Sequence, residues 1–357
     1  ALEPATGEIL AMISSPSYDP NQLTISNNNR GKAYVDLNTD SLKPFLNRGV
    51  MAQYPPGSLF KTVVALVGLQ EGVWPVDRAV SCPGGYTLGG RVLTGCHGHP
   101  TCTDVSSAIQ HSCNAYFVSM FLEIVDMEGA YNPEKGLDKF NGYLDRLGLG
   151  RQLGVDFPSE QTGNYPTSDY YTNVLYQKEA NWKSVWIRSL GIGQGELLMT
   201  NIQLVNLAAT ISNRGYYQVP HLIRGFKDSD RKIPGQYRER NYVGIDDRHF
   251  EPVIEGMERA VTAGTARMAY IPDISVCGKT GTAENPHGKD HSIFFCFAPK
   301  ENPQIAVAVY VENAGFGGTY AAPIASLLIE KYIKGKISDQ RKWIEQRMFN
   351  ANLVEGP

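Results

Sequence analysis

The sequence predicts an α/β (α+β) fold in which helices flank one antiparallel sheet and an all-helical subdomain is inserted into it. Two observations carry this prediction. Strand-like segments lie near both ends of the chain, and helical periodicity dominates between residues 58 and 215. Strands at both ends with helices between them indicate one antiparallel sheet built from N- and C-terminal pieces.

The N-terminal elements are predicted in the following order. The chain opens on a strand, a turn at "PATG" and a second strand "EILAMI". The polar stretch "SNNNRGKAYVDLNTD" predicts a loop. Four segments with helical periodicity follow: "SLFKTVVALVGLQEG", "TDVSSAIQHSCNAYFVSMFLEIV", "KGLDKFNGYLDRLGLG" and "TNIQLVNLAATISNRG".

The C-terminal part returns to strands. A strand is predicted near "YYQVPHLIRGF" and a helix over "FEPVIEGMERAVTAGTA". Three strand candidates come next, "ISVCGKTGTAE", "HSIFFCFAP" and "QIAVAVYVEN", before a final helix, "AAPIASLLIEKYIKG". We therefore assign residues 1–57 and 216–340 to the sheet subdomain and 58–215 to a mainly helical subdomain.

The composition excludes several classes of function. The net charge of -3, the pI near 6.2 and the lack of any basic block argue against a nucleic-acid binder. No apolar run reaches the roughly 18 residues that a membrane span needs. The chain begins directly on strand sequence without a signal peptide, so we expect a fragment from which a leader or anchor has been removed.

The stretch "YPPGSLFKTVVALVGL", residues 54–69, places a primary amine at the head of an apolar helix. The prolines and Gly57 fix a turn, and Ser58 then stands at or next to the N-cap. Lys61 lies three residues later on the same face. Burial and the positive end of the helix dipole both lower the pKa of such a lysine, so its neutral amine can take the serine's proton. The pattern predicts a serine nucleophile activated by lysine.

Two further motifs supply polar groups in apolar surroundings. The first, "AIQHSCNAYFVSMF", interrupts buried helical sequence with Ser112 and Asn114. The second, "VCGKTGTAEN", ends a predicted strand with Lys279, Thr280, Gly281 and Thr282. Its glycine lets a backbone approach a ligand closely, and its hydroxyls suit a carboxylate. Each motif alone is weak, since Ser-x-x-Lys is expected about once in a chain of this length.

Taken in this order, Ser-x-x-Lys, Ser-x-Asn and Lys-Thr-Gly form the motif set of penicillin-binding proteins and serine β-lactamases, and the chain resembles that superfamily along essentially its whole length. "PATGEILAMISSPSYDPN" and "AQYPPGSLFKTVVAL" resemble the first hairpin and the nucleophile helix of class B transpeptidase domains. "RSLGIGQGELLMTNIQLVNLAATISNRG" and "VENAGFGGTYAAPIASLLIEKYI" are similar to the elongation-specific members. The resemblance implies a penicillin-binding, β-lactamase-like fold, with one transpeptidase domain over 1–357 that lacks the family's membrane anchor and pedestal.

The resemblance also implies an activity, D,D-transpeptidation, which cross-links the stem peptides of peptidoglycan. Ser58 would attack the carbonyl between two D-alanines, with Lys61 as its base. Ser112 would relay protons toward the leaving amine, and the positive charge of Lys279 would keep Lys61 deprotonated. Asn114 would bind the substrate's peptide carbonyl.

Substrate binding is assigned by the same resemblance to the Lys-Thr-Gly strand. Thr280 and Thr282 would receive the terminal carboxylate, with Gly281 between them. The main-chain N–H groups of Ser58 and Thr282 would form the oxyanion hole. β-Lactams would acylate Ser58 because they imitate the D-alanyl-D-alanine end.

Two other functions are compatible with the motifs. A serine β-lactamase shares them but must deacylate quickly, usually through a glutamate that activates water. The candidate glutamates lie in "NPEKGLDKF" and "FPSEQTGNY"; the second has Glu-x-x-x-Asn spacing from Glu160 to Asn164, so the sequence does not exclude a lactamase. A β-lactam sensor would acylate without catalysis and would need a signalling domain. The lifetime of the penicilloyl adduct separates a lactamase from the other two.

Four of the six cysteines lie between the first two motifs. Cys96-x-x-His99 has zinc-pair spacing, and Cys82 and Cys113 stand about equally far on either side, which suggests a structural Cys₃His site. The resemblance favours His99 over His97 as the ligand and leaves Cys102 over. Disulfides and simple packing of Cys113 are the alternatives. A zinc ion here would fix the loop that carries Ser112 and Asn114.

Partners follow from the resemblance alone. They are peptidoglycan stem peptides, β-lactams and, in the full-length protein, a glycosyltransferase of the shape, elongation, division and sporulation (SEDS) family at the periplasmic face of the inner membrane. No nucleic acid is expected. Gly191, Gly193 and Gly195 are spaced like a phosphate loop, but no strand-to-helix nucleotide unit surrounds them, so we discount nucleotide binding.

Overall fold

The computed structural model describes residues 1–130, 132–177, 182–227, 230–285 and 288–353. In these ranges the helices are α1 (Arg30–Thr39), α2 (Lys61–Gln70), α3 (Val105–His111), α4 (Asn114–Val125), α5 (Pro133–Arg146), α6 (Ser168–Tyr170), α7 (Asn201–Ser212), α8 (Phe250–Ala263), α9 (Ala321–Lys334) and α10 (Lys342–Phe349). The strands are β1 (Gln53–Tyr54), β2 (Gly85–Leu88), β3 (Arg91–Gly95), β4 (Met199–Thr200), β5 (Tyr216–Tyr217), β6 (Asn241–Tyr242), β7 (Cys277–Ala283), β8 (His291–Ala298) and β9 (Ile305–Val311). None of the helices in those ranges combines the length and hydropathy needed to cross a lipid bilayer.

The central sheet has the order β7-β8-β9, and all its pairs are antiparallel. The N-terminus joins it, because Leu2 exchanges two main-chain hydrogen bonds of 2.9 Å with Ala306 of β9. The sheet is therefore built from both ends of the chain, as the sequence predicts.

Helices cover both faces of the sheet, and β8 shows why. Ile293, Phe295 and Phe297 belong to the main core, which also contains the buried residues of α2 and α7. The alternate residues Phe294 and Cys296 belong to a second core with α9. Since successive side chains of a strand point to opposite faces, such a strand must be apolar on both. The result is the continuous apolar run "IFFCFA".

The main core extends from the sheet into the helices before it. In α2, residues Lys61 to Leu69 are all buried, so this helix is enclosed on every side. It packs against α4, which packs in turn against α5. The turn that carries Ser58, directly before α2, thus leads into a helix that is held on every side.

Four local predictions differ from the structure. Residues 30–39 form α1 rather than a loop; Tyr34 and Tyr18 pack against Phe45, with ring centroids 5.8 and 4.9 Å away, and the Asn-rich composition hides this local apolar contact. The segments "EILAMI" and "YYQVPHLIRGF" pair only at isolated bridges and at β5. The long helix predicted over 103–125 is divided into α3 and α4. The C-terminal helix α10 was not predicted.

Candidate active site

The nucleophile turn is a short 3₁₀ segment, Gly57–Phe60, that leads directly into α2. Gly57 has a φ of +55°, a conformation that glycine adopts without strain. Its N–H donates to the Gly193 carbonyl at 2.9 Å. Ser58 is half-buried in this turn, two residues after the Pro56 N-cap, and its hydroxyl has no hydrogen-bond partner among the residues that the structure describes. The hydroxyl is free to meet a substrate.

Lys61 is fully buried, and burial lowers its pKa to about 8. Its ammonium group has three acceptors: the Ser112 carbonyl at 2.7 Å, the Ser112 hydroxyl at 3.1 Å and Asn114 Oδ1 at 2.5 Å. The sequence motif Ser-x-x-Lys is thereby joined to the motif Ser-x-Asn.

Ser112 lies at the break between α3 and α4. Its φ of 55° is left-handed and ends α3, and Cys113 is the N-cap of α4. The hydroxyl of Ser112 is within hydrogen-bond distance of both lysines, 3.1 Å from Lys61 Nζ and 2.8 Å from Lys279 Nζ. A buried hydroxyl between two amines is a short path for a proton.

The strand β7 forms the other wall. Lys279 is fully buried, and burial together with the positive charge of Lys61 lowers its pKa well below the usual value. The Thr280 hydroxyl lies 2.7 Å from the Thr265 hydroxyl. A Cβ on Gly281 would stand 3.1 Å from the Pro56 carbonyl, so β7 runs directly against the nucleophile turn.

The two lysines form one electrostatic unit. Because one hydroxyl oxygen contacts both, their nitrogens lie within about 6 Å of each other. Two charges at that distance in a buried site repel strongly, so the pair holds one positive charge near neutral pH. The pKa values of both lysines are lowered, and the resemblance gives the charge to Lys279; which of the two amines carries it stays a prediction.

Sequence reasoning missed four residues of this site. Thr265 contacts Thr280, and Gly193 and Gln194 contact Gly57 and Thr282. A Cβ on Gly317 would stand 2.5 Å from the Gly281 carbonyl, so the loop after β9 also reaches β7. The Gly-x-Gly-x-Gly spacing around Gln194 is the only trace of this contact in the sequence, and its likeness to a phosphate loop hides the structural role.

The predicted metal ligands come together beside this site. One ligand atom from each of Cys82, Cys96, His99 and Cys113 lies within 4.8 Å of the others. A tetrahedral zinc with Zn–S bonds of about 2.3 Å would hold its ligand atoms somewhat under 4 Å apart, so the donor types suit zinc and the atoms would draw together by up to about 1 Å on binding.

The surroundings of the cluster match that donor set. His99 Nδ1 donates to the Pro100 carbonyl at 2.6 Å, so Nε2 presents its lone pair to the cluster, 3.4 Å from Cys96 Sγ. The sulfurs of Cys96 and Cys113 accept main-chain N–H groups at 3.3 and 3.4 Å, contacts that suit thiolates. His97 lies outside the cluster, and all six cysteines are free thiols rather than disulfides. Cys102 Sγ lies 3.8 Å from His99 Nδ1 and also within hydrogen-bond reach of the Cys113 side chain.

The two candidate glutamates of a lactamase are engaged elsewhere. Glu160 is buried and accepts the main-chain N–H groups of residues 153–155 at 2.7 to 3.1 Å. Glu134 accepts from the Thr172 hydroxyl at 2.6 Å. Neither carboxylate has a recorded contact with the nucleophile turn among the described residues.

Comparison with known proteins gives consistent relatives. The family model for the penicillin binding protein transpeptidase domain matches residues 1–330. The peptidoglycan D,D-transpeptidase MrdA of Acinetobacter baumannii is 32% identical over 386 residues, an alignment that covers 100% of this chain and 54% of that protein. The chain spans about half the length of the curated relatives it first matches.

Solved structures agree with this. Penicillin-binding protein 2 of Pseudomonas aeruginosa in complex with WCK 5153 has a TM-score of 0.79 at 31% identity, over 95% of this chain and 75% of that one. The ceftriaxone acyl-enzyme of penicillin-binding protein A from M. tuberculosis has a TM-score of 0.75 at 27% identity, over 93% and 73%. A peptidoglycan synthase complex, described as coordinating polymerization and crosslinking, has a TM-score of 0.77 at 29% identity, over 94% and 56%.

These likenesses confirm the fold class predicted from the sequence. Three motifs separated by more than 200 residues meet around one buried hydroxyl, and the family model matches nearly the whole chain. The chain belongs to the penicillin-binding protein transpeptidase family.

Proposed function

We propose that this chain is the catalytic domain of a peptidoglycan D,D-transpeptidase that works through a Ser58 acyl-enzyme. The observation that supports it best is the contact of one buried hydroxyl, that of Ser112, with the amines of both Lys61 and Lys279. This arrangement stands beside a half-buried serine whose hydroxyl is unpaired within the described part of the chain. It supplies a nucleophile, a base and a proton path.

The chemistry has two halves. Ser58 Oγ adds to the carbonyl of the D-alanyl-D-alanine bond while Lys61 takes its proton. The C–N bond then breaks, and the leaving D-alanine amine receives a proton by way of Ser112. An amine of a second stem peptide then attacks the acyl carbonyl, and the ester bond to Ser58 Oγ breaks. The proton that the amine loses passes by way of Lys61 to Ser58 Oγ, which restores the hydroxyl and leaves the cross-link.

Substrate binding moves the positive charge of the lysine pair from Lys61 to Lys279. At rest Lys61 has three acceptors and Lys279 has two, the Ser112 hydroxyl and the Thr280 carbonyl at 2.9 Å, so the proton resides on Lys61. A carboxylate bound at Thr280 and Thr282 stabilises a charge on Lys279 instead. Lys61 then becomes the free base that the attack requires.

The polar groups left over suit the rest of the substrate. Asn114 gives Oδ1 to Lys61 and one N–H to the Gly95 carbonyl at 2.7 Å, so a second N–H remains to donate to a peptide carbonyl. When Thr265 donates to Thr280, the Thr280 hydroxyl keeps its own proton for the terminal carboxylate. Because Gly281 has no side chain, β7 lies close to the nucleophile turn. One substrate can therefore place its scissile carbonyl at the turn and its terminal carboxylate at β7.

The competing functions differ in what happens after acylation. A serine β-lactamase needs a carboxylate that activates water at the acyl-enzyme, and the engaged positions of Glu134 and Glu160 disfavour that reading. A non-catalytic β-lactam sensor would acylate identically and is separated from a transpeptidase only by turnover of a peptide substrate.

The decisive experiment identifies the acylated residue. Mass spectrometry of the protein after treatment with penicillin should find one penicilloyl adduct, on Ser58, with a lifetime of minutes or longer. Ser58→Ala should form no adduct and retain its melting temperature. An adduct on any other residue would refute the proposal, and rapid loss of the adduct as penicilloic acid would identify a lactamase.

We also propose that Cys82, Cys96, His99 and Cys113 hold a structural zinc ion. The convergence of the four donor atoms within 4.8 Å supports this, as does the orientation of His99 Nε2 toward Cys96. With four protein ligands the site would be closed, so the ion would stabilise the fold and would take no part in the chemistry.

The remaining proposals concern the whole protein. We infer an elongation-specific enzyme of the penicillin-binding protein 2 type that is anchored in the inner membrane, acts at its periplasmic face and uses peptidoglycan stem peptides. The likeness to a peptidoglycan synthase complex supports a SEDS-family glycosyltransferase as its partner. We also propose that the chain divides into a sheet subdomain (1–57 and 216–340) and a mainly helical subdomain (58–215).

A further inference from the structure

We propose that Gln194 is a positioning residue that holds the two main-chain donors of the oxyanion hole, the N–H groups of Ser58 and Thr282, at a fixed separation. The inference rests on the proposed function. Gln194 belongs to the run Gly191–Gly195, whose spacing is unrelated to any nucleotide unit in this fold. The observation behind the proposal is that two consecutive residues, 193 and 194, bond to the two opposite walls of the cleft.

The run 191–195 has a rigid base. Its first two residues end the 3₁₀ segment Ser184–Ile192, and the Gln194 N–H donates back to the Ser189 carbonyl of that segment at 3.1 Å. A Cβ on Gly191 would stand 2.7 Å from Phe121 Cβ, so this residue is pressed against α4. The base is therefore fixed by the same helix that begins at Asn114.

Gly193 contacts both the N–H and the carbonyl of Gly57 in the nucleophile turn. Its carbonyl accepts the Gly57 N–H at 2.9 Å, and a Cβ on Gly193 would stand only 2.0 Å from the Gly57 carbonyl oxygen. A peptide unit is planar, so the direction of the Gly57 carbonyl also sets the direction of the Ser58 N–H. Gly193 thereby orients the first donor of the hole.

Gln194 reaches the opposite wall. Its Nε2 donates to the Thr282 carbonyl at 3.3 Å, and Gln194 is half-buried in the cleft. In a strand, the N–H and C=O of one residue point to the same edge, so a bond that holds the Thr282 carbonyl also aims its N–H. Because a carbonyl only accepts, the amide must present its NH₂ group to Thr282. Gln194 thus orients the second donor.

The nucleophile turn and strand β7 have no direct main-chain hydrogen bond between Gly57 or Ser58 and Thr282 in the described part of the chain, so a link through residues 193 and 194 matters. A Cβ on Gly57 would stand 2.6 Å from the Thr282 oxygen, so turn and strand are in close contact. Yet the Gly57 N–H is used by Gly193, and among the described residues no main-chain hydrogen bond joins Gly57 or Ser58 to Thr282. The connection runs through residues 193 and 194. An oxyanion hole works only when its donors are already in place, so this link contributes to the rate of acylation.

The test uses an isosteric substitution and a matched control. Gln194→Glu keeps the shape but sets a carboxylate against the Thr282 carbonyl. Gln152→Glu is the control, since Gln152 Nε2 likewise donates to one main-chain carbonyl, that of Glu160 at 2.7 Å, away from the cleft. Gln194→Met removes the bond without adding charge and serves if the glutamate variant does not fold. Stopped-flow acylation with a fluorescent penicillin gives the acylation rate constant and the dissociation constant of the preceding complex separately.

We expect Gln194→Glu and Gln194→Met to lower the acylation rate constant about 10- to 100-fold, less than or comparable to the loss of an entire oxyanion donor. The dissociation constant and the melting temperature should stay near the wild-type values, and Gln152→Glu should acylate normally. An unchanged rate constant in both Gln194 variants would overturn the inference, as would a loss that appears only in the dissociation constant. If wild-type protein is not acylated on Ser58, the proposed function fails instead.

Discussion

The lysine pair yields a prediction about the pH dependence of acylation before and after the carboxylate binds. Lys61 acts as a base only when it is neutral, so acylation must fall as the pH drops through its pKa. In the free protein that pKa is about 8, because the amine is buried. The ratio of the acylation rate constant to the dissociation constant reports the free protein and should rise with a midpoint near pH 8.

In the complex the midpoint should be lower. A bound carboxylate places the positive charge on Lys279, whose nitrogen lies within about 6 Å of Lys61 Nζ. At an effective dielectric constant of about 20 the repulsion is about 3 kcal/mol, or about two pH units. The acylation rate constant itself should therefore have a midpoint near pH 6. At pH 7 the neutral fraction of Lys61 then rises from about 0.1 to about 0.9 on binding.

The assay is stopped-flow acylation between pH 5 and 9 with a penicillin and with its methyl ester, which lacks the carboxylate. For the penicillin, the two profiles should be separated by about two pH units. For the ester, and for Lys279→Met with either compound, the midpoint of the rate constant should return toward 8. Coincident midpoints for the penicillin would refute the transfer of charge to Lys279, and a rate that falls with rising pH would refute Lys61 as the base. Melting temperatures across the same range control for unfolding.

Two further predictions concern the glycine turn and the metal cluster. Gly57→Ala should lower the acylation rate at least about 100-fold, because its Cβ would stand 2.6 Å from the Thr282 oxygen. Gly72→Ala is the control: Gly72 also has a left-handed φ, +67°, but its Cβ would have no atom within 4 Å, so this variant should acylate normally. Both variants should lose roughly 1 kcal/mol of folding stability, because alanine disfavours the left-handed backbone. Equal acylation by the two alanine variants would show that the close contact has no part in catalysis. Removing the metal with a chelator should lower the melting temperature and slow acylation by Ser58, and metal analysis of the same sample should account for one zinc per chain; an apoprotein with unchanged melting and rate would contradict the metal proposal.

The sequence predicts those features that depend on residue types lying close together in the chain. A lysine inside an apolar helix is costly, so its presence next to Ser58 pointed to function, and the structure buries Lys61 completely. Residue type and spacing predicted a Cys₃His cluster, and the structure brings its members, Cys82 and His99 among them, together; that they bind zinc stays a proposal. Strand β8 was predictable because an uninterrupted apolar run of that length suits a strand covered on both faces.

The sequence was uninformative where the reason lies far away in the chain. Gly193 and Gln194 matter because of residues 57 and 282, and the contact from Gln194 spans 88 positions. No pattern within the segment itself reveals that contact. Helix α1 was missed for the opposite reason: it buries none of its residues, so it carries no periodic apolar signal and depends on the local contact of Tyr34 with Phe45.

The position of Cys113 connects the metal cluster to catalysis through simple helix geometry. Successive residues of an uninterrupted helix point about 100° apart, so residues 112 and 114 could not both face Lys61 there while 113 pointed away. The left-handed turn at Ser112 removes that restriction, and both neighbours of Cys113 then contact Lys61 Nζ. A left-handed φ is unfavourable for serine, so other contacts must stabilise the interruption between α3 and α4. Cys113 does so twice, by capping α4 at the Tyr116 N–H and by facing Cys96 in the cluster, so the proposed zinc ion would support the proposed proton path.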